Sequence, residues 1–358
     1  MKYLKLISSI LFLLFFLSTC KKSENKNLKL PSKTPVSAEN PIRFKEEVYA
    51  INKTYILGDV RRYGIFPDSS YSYIHPITKI PKITTVLDLA EKHNITLFFP
   101  KGYYKTALIL DGRENLSIRF DNAEFDLIHI TQDVKTKKKP KNISLKGTVI
   151  SYDRLGITEA TNIEIDTVFL KSNTKKSIRK MRSRGCHIYH GSKFITIKYL
   201  VIEDLGSGDK RYHNSHAALA LDGWGNNPEN VTIDKLHIKS SDRHGIYLTG
   251  KNHVIKEVII DQFGIGSDKE MAPMQDGSDI EYKLFAGIWI NRCYNSKIGK
   301  ITINAKNSEG YFVANFDEGD SLRPVNIREL KIKNADRTLP INFAKNAGVI
   351  VQKYTEIK

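Results

Sequence analysis

A repeat of short β-branched runs begins near Ile95 and continues to the C-terminus, and it is the feature that most constrains the fold. Each unit has one short apolar run, a polar turn rich in Gly, Asn or Asp, and a second run, as in ALALDGWGNNPENVTIDKLHI and GIYLTGKNHVIKEVIID. Units of this kind cannot cover their apolar face alone, so they stack on one another. Because helical periodicity is nearly absent, the pattern favours a parallel β-helix over a propeller or a sandwich.

One helical stretch, TTVLDLAEKHN at residues 84–94, precedes the run ITLFFPKGYYKT. The order GDVRRYGIFPDS, helix, ITLFFPKGYY resembles the opening of the pectate-lyase-like β-helix superfamily, in which a helix caps the open end of the first coil. The resemblance covers most of the chain after residue 54. It implies an all-β, single-stranded, right-handed parallel β-helix with an N-terminal capping helix. It implies no single activity, since the superfamily contains lyases, hydrolases, epimerases and binding proteins.

The first twenty residues, MKYLKLISSILFLLFFLSTC, combine two lysines, an apolar run and a cysteine after small residues. The run has the length and flanks of a secretory signal rather than of a membrane span. Its LSTC ending resembles the lipobox of bacterial lipoproteins, which implies cleavage before Cys20 and acylation of its sulfur. We therefore expect a signal peptide at 1–19, a flexible tether at 20–53 and a β-helix domain at 54–358. The lipid would hold the protein at the cell surface or in the periplasm of a Gram-negative-type bacterium.

The chain is strongly basic, with 56 Lys and Arg against 39 Asp and Glu and a formal charge of +17. A protein this basic attracts polyanions. Outside the cell, an acidic polysaccharide is a better candidate than a nucleic acid. Besides Cys20, only Cys186 and Cys293 are present, and neither lies in a CxxC or His-rich spacing. The sequence therefore indicates neither a disulfide framework nor a zinc site.

Aligning the repeats by their apolar alternation separates inward from outward positions, because side chains alternate along a strand. The first inward column contains Cys186, Leu219, Ile246, Ile288 and Tyr311, and the second contains Ile188, Leu221, Leu248, Ile290 and Val313. The outward column between them contains His187, Ala220, Tyr247, Trp289 and Phe312. The last three predict an aromatic ridge that suits the apolar face of a sugar ring. The alternative is that the connection 264–284 folds over and buries them.

The same alignment gathers basic residues at the start of these strands. One column contains Ser183, His216 and Arg243, and the next contains Arg184, Ala217 and His244. Arginine can hold a carboxylate bidentately, and histidine can move a proton near neutral pH. We predict that the catalytic residues are His244, Arg243, His216, Asp242 and Arg184. We predict that the substrate-binding residues are Tyr247, Trp289, Phe312, His187 and Lys251.

The segment RHGIYLTG resembles the GHG segment of the polygalacturonase-type glycoside hydrolases, with His244 at the motif histidine. The upstream coils lack that family's aspartates: His216 and Ala217 stand in place of the pair, and Arg184 stands in place of the earlier one. Hydrolysis of that kind needs two carboxylates. The bases favour β-elimination instead, with His244 or His216 removing a proton and Arg243 or Arg184 neutralising the substrate carboxylate.

Three functions stay open at this point. A polysaccharide lyase acting on an acidic, uronate-containing chain is favoured over a non-catalytic glycan-binding lipoprotein. A glycoside hydrolase using Asp222, Asp242 and a loop acid is the third. The loop acids Asp276, Asp279 and Glu281 are oxygen ligands of the kind calcium accepts, but their spacing matches no metal motif. We expect no cofactor, with calcium as the open alternative, and a monomer.

Overall fold

The computed structural model describes residues 45–68, 73–173, 183–204, 217–265, 285–308, 310, 312–336 and 339–358. These residues belong to one compact unit, which spans 41–358. Several features of the sequence analysis lie outside the described residues, and what was predicted for them stays a prediction. They are the signal peptide at 1–19, Cys20 and the rest of the tether up to residue 44, His216, Tyr311 and the acids of the connection 264–284.

Parallel strands make up nearly all of this unit, and they form two ladders. The long-strand ladder contains β1 (Leu97–Phe99), β2 (Gly102–Tyr103), β4 (Glu114–Phe125), β6 (Lys141–Ser151), β8 (Thr161–Leu170), β10 (Lys193–Ile202), β12 (Glu229–Ile238), β14 (Val254–Ile260), β16 (Lys297–Asn304), β18 (Val325–Lys333), β20 (Val349–Val351) and β21 (Tyr354–Ile357). The short-strand ladder contains β3 (Leu108–Ile109), β5 (Ile128–Ile130), β7 (Arg154–Thr158), β9 (Gly185–Tyr189), β11 (Ala217–Asp222), β13 (His244–Lys251), β15 (Ile288–Tyr294), β17 (Ala314–Phe316) and β19 (Ile341–Phe343). The chain alternates between the ladders, coil after coil, which confirms the all-β parallel β-helix.

An α-helix, α1 (Lys82–His93), covers the N-terminal end of the coils and packs on β1 and β4. It ends at Asn94, whose left-handed backbone donates its N–H to Ala90 O. Its apolar residues recur at helical spacing and are buried: Ile83, Val86, Leu87, Leu89 and Ala90. The predicted capping helix is therefore confirmed, and it begins two residues earlier than the pattern indicated. Among the described residues, no helix has the length and apolar character to cross a membrane.

The folded body includes residues upstream of 54, where the sequence placed the start of the β-helix domain. Glu46 is completely buried, and its carboxylate accepts from Arg62 Nε at 2.7 Å. Arg62 also donates to Tyr55 O. A buried carboxylate needs such a partner, so the segment from Glu46 is held by groups that follow it in the chain. A polar composition alone does not reveal this.

The inward side of the short-strand ladder is a continuous apolar column. Its members are all fully buried: Leu108, Ile128, Leu155, Cys186, Leu219, Ile246, Ile288 and Ala314. The predicted inward positions are confirmed as far as Ile288. The second inward column is likewise confirmed as far as Ile290, which pairs with Phe316.

The alignment of the last coil was wrong by three residues. Ile288 pairs with Ala314 and Trp289 with Asn315, so Phe312 does not occupy the outward column. Val313 N donates to Pro340 O before the strand begins, which places Val313 in the turn. In GYFVANF, apolar residues alternate in both registers, so the pattern could not choose between them.

The lysines on the outer face of the long-strand ladder are paired with acids on neighbouring coils. Three such pairs are Asp166–Lys198 at 2.7 Å, Asp234–Lys256 at 2.7 Å and Glu257–Lys235 at 3.7 Å. Exposed pairs of this kind contribute little to stability. They balance part of the positive charge of this face.

A ladder of left-handed residues stacks along the turns that lead into the long strands. The stacked positions are Asn115, Asn142, Asn162, Phe194, Asn230, Asn252 and Asn295, all with φ between 46° and 60°. Side-chain amides bond along the stack at 2.8 Å, from Asn142 to Asn115 and from Asn162 to Asn142. Asparagine tolerates this conformation and phenylalanine does not, so Phe194 interrupts a stabilising ladder.

Replacing Phe194 with asparagine is expected to stabilise the protein by about 1 kcal/mol, because it relieves left-handed strain and continues the amide ladder. Little burial is lost, since Phe194 is 55 % exposed. Urea unfolding followed by circular dichroism measures the change. Phe194→Gly, which relieves the strain without an amide, should gain less. A destabilised Phe194→Asn would show that the ring packs against neighbours more strongly than its exposure indicates.

Candidate functional site

The long connections of the β-helix begin and end at one edge of the short-strand ladder. Residues 171–184, 203–216 and 261–287 each lead from the end of a long strand to the start of the next short strand. The opposite edge has short turns, such as 190–192 and 252–253. Binding residues concentrate on long loops carried by a rigid scaffold. The edge with the long connections, and the outer face beside it, is therefore the candidate site.

The SDRHG segment forms a buried corner at this edge. Ser241 Oγ donates to His244 O at 2.7 Å and accepts from Arg243 N at 3.3 Å, which closes a tight turn. Arg243 is only 1 % exposed and His244 only 3 %. Asp242, which precedes Arg243, is partly exposed. Their predicted contact with substrate thus meets a physical obstacle, because both basic side chains are withdrawn from the surface.

The His244 ring is fixed by packing and by one backbone hydrogen bond. Ala286 N donates to its Nδ1 at 3.0 Å, so the proton of the neutral ring is on Nε2. The ring packs against Phe285 and Trp289, with centroids 5.2 and 5.1 Å away. These contacts give His244 a clear role in joining two coils. Its role as a catalytic base stays a prediction.

Arg184 lies at the same edge, two coils upstream, and is held by Asp153. Its Nε lies 2.5 Å from Asp153 Oδ1, and its Nη2 bonds the second carboxylate oxygen. Asp153 is 4 % exposed. Arg184 was predicted to neutralise a substrate carboxylate, but Asp153 already balances its positive charge. To bind a substrate carboxylate, Arg184 would have to release Asp153.

Two aromatic residues of the predicted ridge stand side by side on the outer face. Tyr247 pairs with Trp289 across β13 and β15, their ring centroids are 5.0 Å apart, and both are partly exposed. Asn291 Nδ2 donates to the Tyr247 hydroxyl at 3.3 Å. Because Asn315 follows Trp289 in the column, the ridge has two aromatic members rather than the three predicted.

The remaining predicted contacts are spread along the same ladder. His187 is 7 % exposed, and its ring stacks on Tyr189 with centroids 5.0 Å apart and an angle of 11°. Lys251 is exposed at the far end of β13, where its Nζ lies 3.3 Å from Glu229. Phe312 is partly exposed in the turn before β17. Only His187 therefore shares the outward column with Tyr247 and Trp289.

The full outward column continues upstream of the coils that the sequence alignment covered. It contains Ile109, His129, Gly156, His187, Ala220, Tyr247, Trp289, Asn315 and Asn342. His129 Nδ1 lies 3.1 and 3.2 Å from the two carboxylate oxygens of Asp111. Arg154 Nη2 lies 3.4 Å from His129 Nε2. Sequence reasoning missed this group, because its members come from three coils and no motif links them.

Tyr189 and Tyr247 flank Asp222 at the end of β11. Asp222 is 9 % exposed, and its Oδ1 accepts from Gly223 N at 2.7 Å. Burial, and then the Asp222 carboxylate, raise the pKa of Tyr189 well above its ordinary value. Burial also raises the pKa of the Tyr247 hydroxyl. Both phenols therefore stay protonated at neutral pH.

Metal and thiol chemistry have no evident place among the described residues. In that part of the chain, no group of three or more His, Cys, Asp or Glu side chains could hold a metal ion. Cys186 and Cys293 are buried free thiols. Burial raises the pKa of Cys293 to about 12 and that of Cys186 further, so neither is a reactive thiolate.

Comparisons with protein-family models, with curated proteins and with solved structures found no match to this chain.

Proposed function

We propose that the protein binds an acidic polysaccharide along the outer face of the short-strand ladder and cleaves it by β-elimination. The observation that carries the proposal is the outward column. From His129 to Trp289 it takes five coil steps, or roughly 24 Å, and it combines histidines with an aromatic pair. Such a length suits an extended polymer rather than a small molecule. The proposal includes anchoring through the acylated Cys20 at a bacterial surface.

The charges beside this column support an anionic substrate. Arg154, which has no carboxylate partner among the described residues, lies in its upstream half next to His129. In β-elimination, a cation neutralises the uronate carboxylate and a base removes the proton from the carbon beside it. The electron pair then forms a carbon–carbon double bond as the glycosidic carbon–oxygen bond breaks, and the leaving oxygen takes a proton.

Hydrolysis is less well supported, because it needs two carboxylates on either side of the bond. Asp222 is buried and occupied by the backbone N–H groups of Gly223 and Trp224. Asp153 is bound to Arg184. A specific observation favours non-catalytic glycan binding as the second candidate: Arg243 and His244 are buried.

A panel of uronate-containing, sulfated and neutral glycans tests the proposal. Ultraviolet absorbance of new unsaturated uronates, rising together with reducing ends, is the expected result. Reducing ends alone would indicate a hydrolase, and binding without either signal would indicate a glycan-binding protein. A protein that neither binds nor cleaves any acidic glycan would overturn the proposal.

The aromatic pair provides a matched test on the glycan that binds. Tyr247→Ala should weaken binding about fivefold, the loss of roughly 1 kcal/mol of aromatic contact. Tyr199→Ala is the control, because Tyr199 is a partly exposed tyrosine on β10 in the other ladder. Isothermal titration calorimetry should find its affinity unchanged. Equal losses in both variants would contradict binding on the short-strand face.

A further inference from the structure

His129 lies between the Asp111 carboxylate and the Arg154 guanidinium, and these two contacts define the roles of its ring nitrogens. The Arg154 guanidinium can only donate, so the His129 Nε2 that faces it at 3.4 Å is the acceptor. Nδ1 therefore carries the proton and donates it to Asp111. In this tautomer the basic nitrogen points toward Arg154. About a quarter of the His129 side chain, 24 %, is exposed, so substrate can reach it.

Arg154 is a largely buried cation without a carboxylate partner among the described residues. Asp111 is bonded to His129 and Asp153 to Arg184, and Arg154 Nε is buried without a hydrogen-bond partner. Burial, and then repulsion from Arg184, lower the pKa of Arg154. A buried donor left without a hydrogen bond destabilises the folded protein. An anion bound at this guanidinium would remove that destabilisation.

Gly156 leaves room for a ligand beside these two groups. It occupies the outward column between His129 and His187. A β-carbon at this position would lie 3.1 Å from His129 Cδ2 and 3.6 Å from Arg154 Nε. The backbone of Gly156 does not have a positive φ, so its conformation does not require glycine. What the glycine provides is the absence of a side chain between the imidazole and the guanidinium.

We propose that Arg154, His129 and Gly156 form a uronate subsite, in which Arg154 binds the substrate carboxylate and His129 is the base of the elimination. This deepens the function proposed above and rests on it. As the Arg154 side chain turns away from His129, its Nε and Nη2 edge binds the carboxylate, and His129 Nε2 is released. That nitrogen accepts the proton from the carbon beside the carboxylate, and the bond changes are those of β-elimination. Asp111 is a positioning residue that stabilises the resulting imidazolium.

Binding is tested by titrating nitrogen-15-labelled protein with glucuronate, with glucose as the neutral control. The free protein should show His129 as the neutral ring with its proton on Nδ1. Glucuronate, and not glucose, should shift the Nε2 signal as Arg154 turns to the carboxylate. Asp111→Asn should keep the same tautomer, because Arg154 still donates to Nε2 and the amide oxygen can still accept from Nδ1, and it should not abolish glucuronate binding. The absence of any glucuronate-dependent shift at His129 would overturn the subsite, whatever the variants do.

Two arginine variants distinguish a specific carboxylate-binding site from attraction by the overall positive charge of the protein. Arg154→Gln should weaken glucuronate binding tenfold or more without lowering the melting temperature, because it removes an unpaired, largely buried cation. Arg119→Gln is the control: Arg119 is exposed on β4, with its guanidinium 4.8 Å from the Phe98 ring. It should keep wild-type affinity. Gly156→Ala should also weaken binding, since its methyl group fills the space. Wild-type affinity in Arg154→Gln would refute the carboxylate contact.

Turnover of a polysaccharide that the wild type cleaves tests the base. His129→Ala should lower turnover about 10²- to 10⁴-fold while glucuronate affinity stays near that of the wild type. If His129→Ala and Arg154→Gln both cleave normally, the subsite is wrong and the lyase function stands. If the wild type binds glucuronate through Arg154 yet cleaves no glycan, the carboxylate site is supported and the elimination is overturned.

Discussion

Ile246→Asp is expected to destabilise the protein by about 4 kcal/mol or more, a large share of the roughly 5–15 kcal/mol that stabilises a typical domain. Ile246 is completely buried, and its neighbours in the inward column, Leu219 and Ile288, are buried equally. An aspartate there would place an unpaired charge in an apolar stack, which is among the most costly substitutions known. Urea unfolding followed by circular dichroism measures the loss.

The matched control is the same substitution on the other side of the same ladder. Ile109 is 42 % exposed and is the first member of the outward column. Ile109→Asp should change the free energy of unfolding by less than about 0.5 kcal/mol. A soluble Ile246→Asp variant that unfolds like the wild type would show that this column does not face the core. If both variants unfold, sensitivity of the coil stack to any new charge is the better explanation.

The fold could be predicted because the same physical requirement recurs in every coil. Each strand must alternate apolar and polar residues, and each turn must admit a left-handed residue, as at Asn142, Asn162 and Asn230. These constraints act within a few residues of one another, so the sequence records them directly. The predicted register was wrong only at β17, where the alternation of apolar residues allows two alignments. Backbone hydrogen bonds such as that from Val313 N to Pro340 O decide between them.

The candidate site was less predictable, because burial at an edge depends on residues from other coils. The pairing of Ala217 with His244 agrees with the sequence alignment. Alignment could not show that Phe285 and Trp289 of the next coil enclose the His244 ring. It also could not show that Asp153 compensates the charge of Arg184, since thirty-one residues separate them. The period of the sequence decides which column a residue belongs to. Whether its side chain is exposed depends on the residues of other coils that pack around it.

The Asp111, His129 and Arg154 group shows what a longer alignment could have found. His129 and Gly156 belong to the outward column that was read from His187 onward. Extending that column two coils upstream would have placed a histidine and a glycine on the candidate face. The contacts to Asp111 and Arg154 would still have been missed, because they run between coils and across the strand edge.

Lowering the pH from about 7 to about 4 is expected to destabilise the protein through His253. This residue is 1 % exposed, and its ring is fully bonded in the neutral form. Val231 N donates to its Nδ1 at 3.2 Å, and its Nε2 donates to Thr249 O at 2.9 Å. If Nδ1 were protonated, its N–H and the backbone N–H of Val231 would point at each other in a buried site. Burial accordingly lowers the pKa of His253 from 6.5 to about 4.

The sign follows from which state binds the proton. Below pH 6.5 the unfolded chain protonates His253 while the folded protein does not, until the pH reaches about 4. The unfolded state therefore gains stability as the pH falls through this window, and the free energy of unfolding decreases by about 3 kcal/mol. Above the window the ring is neutral in both states and below it protonated in both, so His253 adds no further slope.

His253→Gln removes the titration and isolates its share of the pH dependence. The variant is less stable than the wild type at neutral pH, because glutamine cannot reproduce both ring hydrogen bonds. Its free energy of unfolding should nevertheless fall by about 3 kcal/mol less than that of the wild type over the same pH range. Urea titrations at a series of pH values give the slope of the free energy of unfolding against pH for the wild type and for the variant. The difference between the two slopes removes the contribution of all other titratable groups. Equal slopes would show that His253 is already protonated in the folded protein, with Val231 N displaced from its ring.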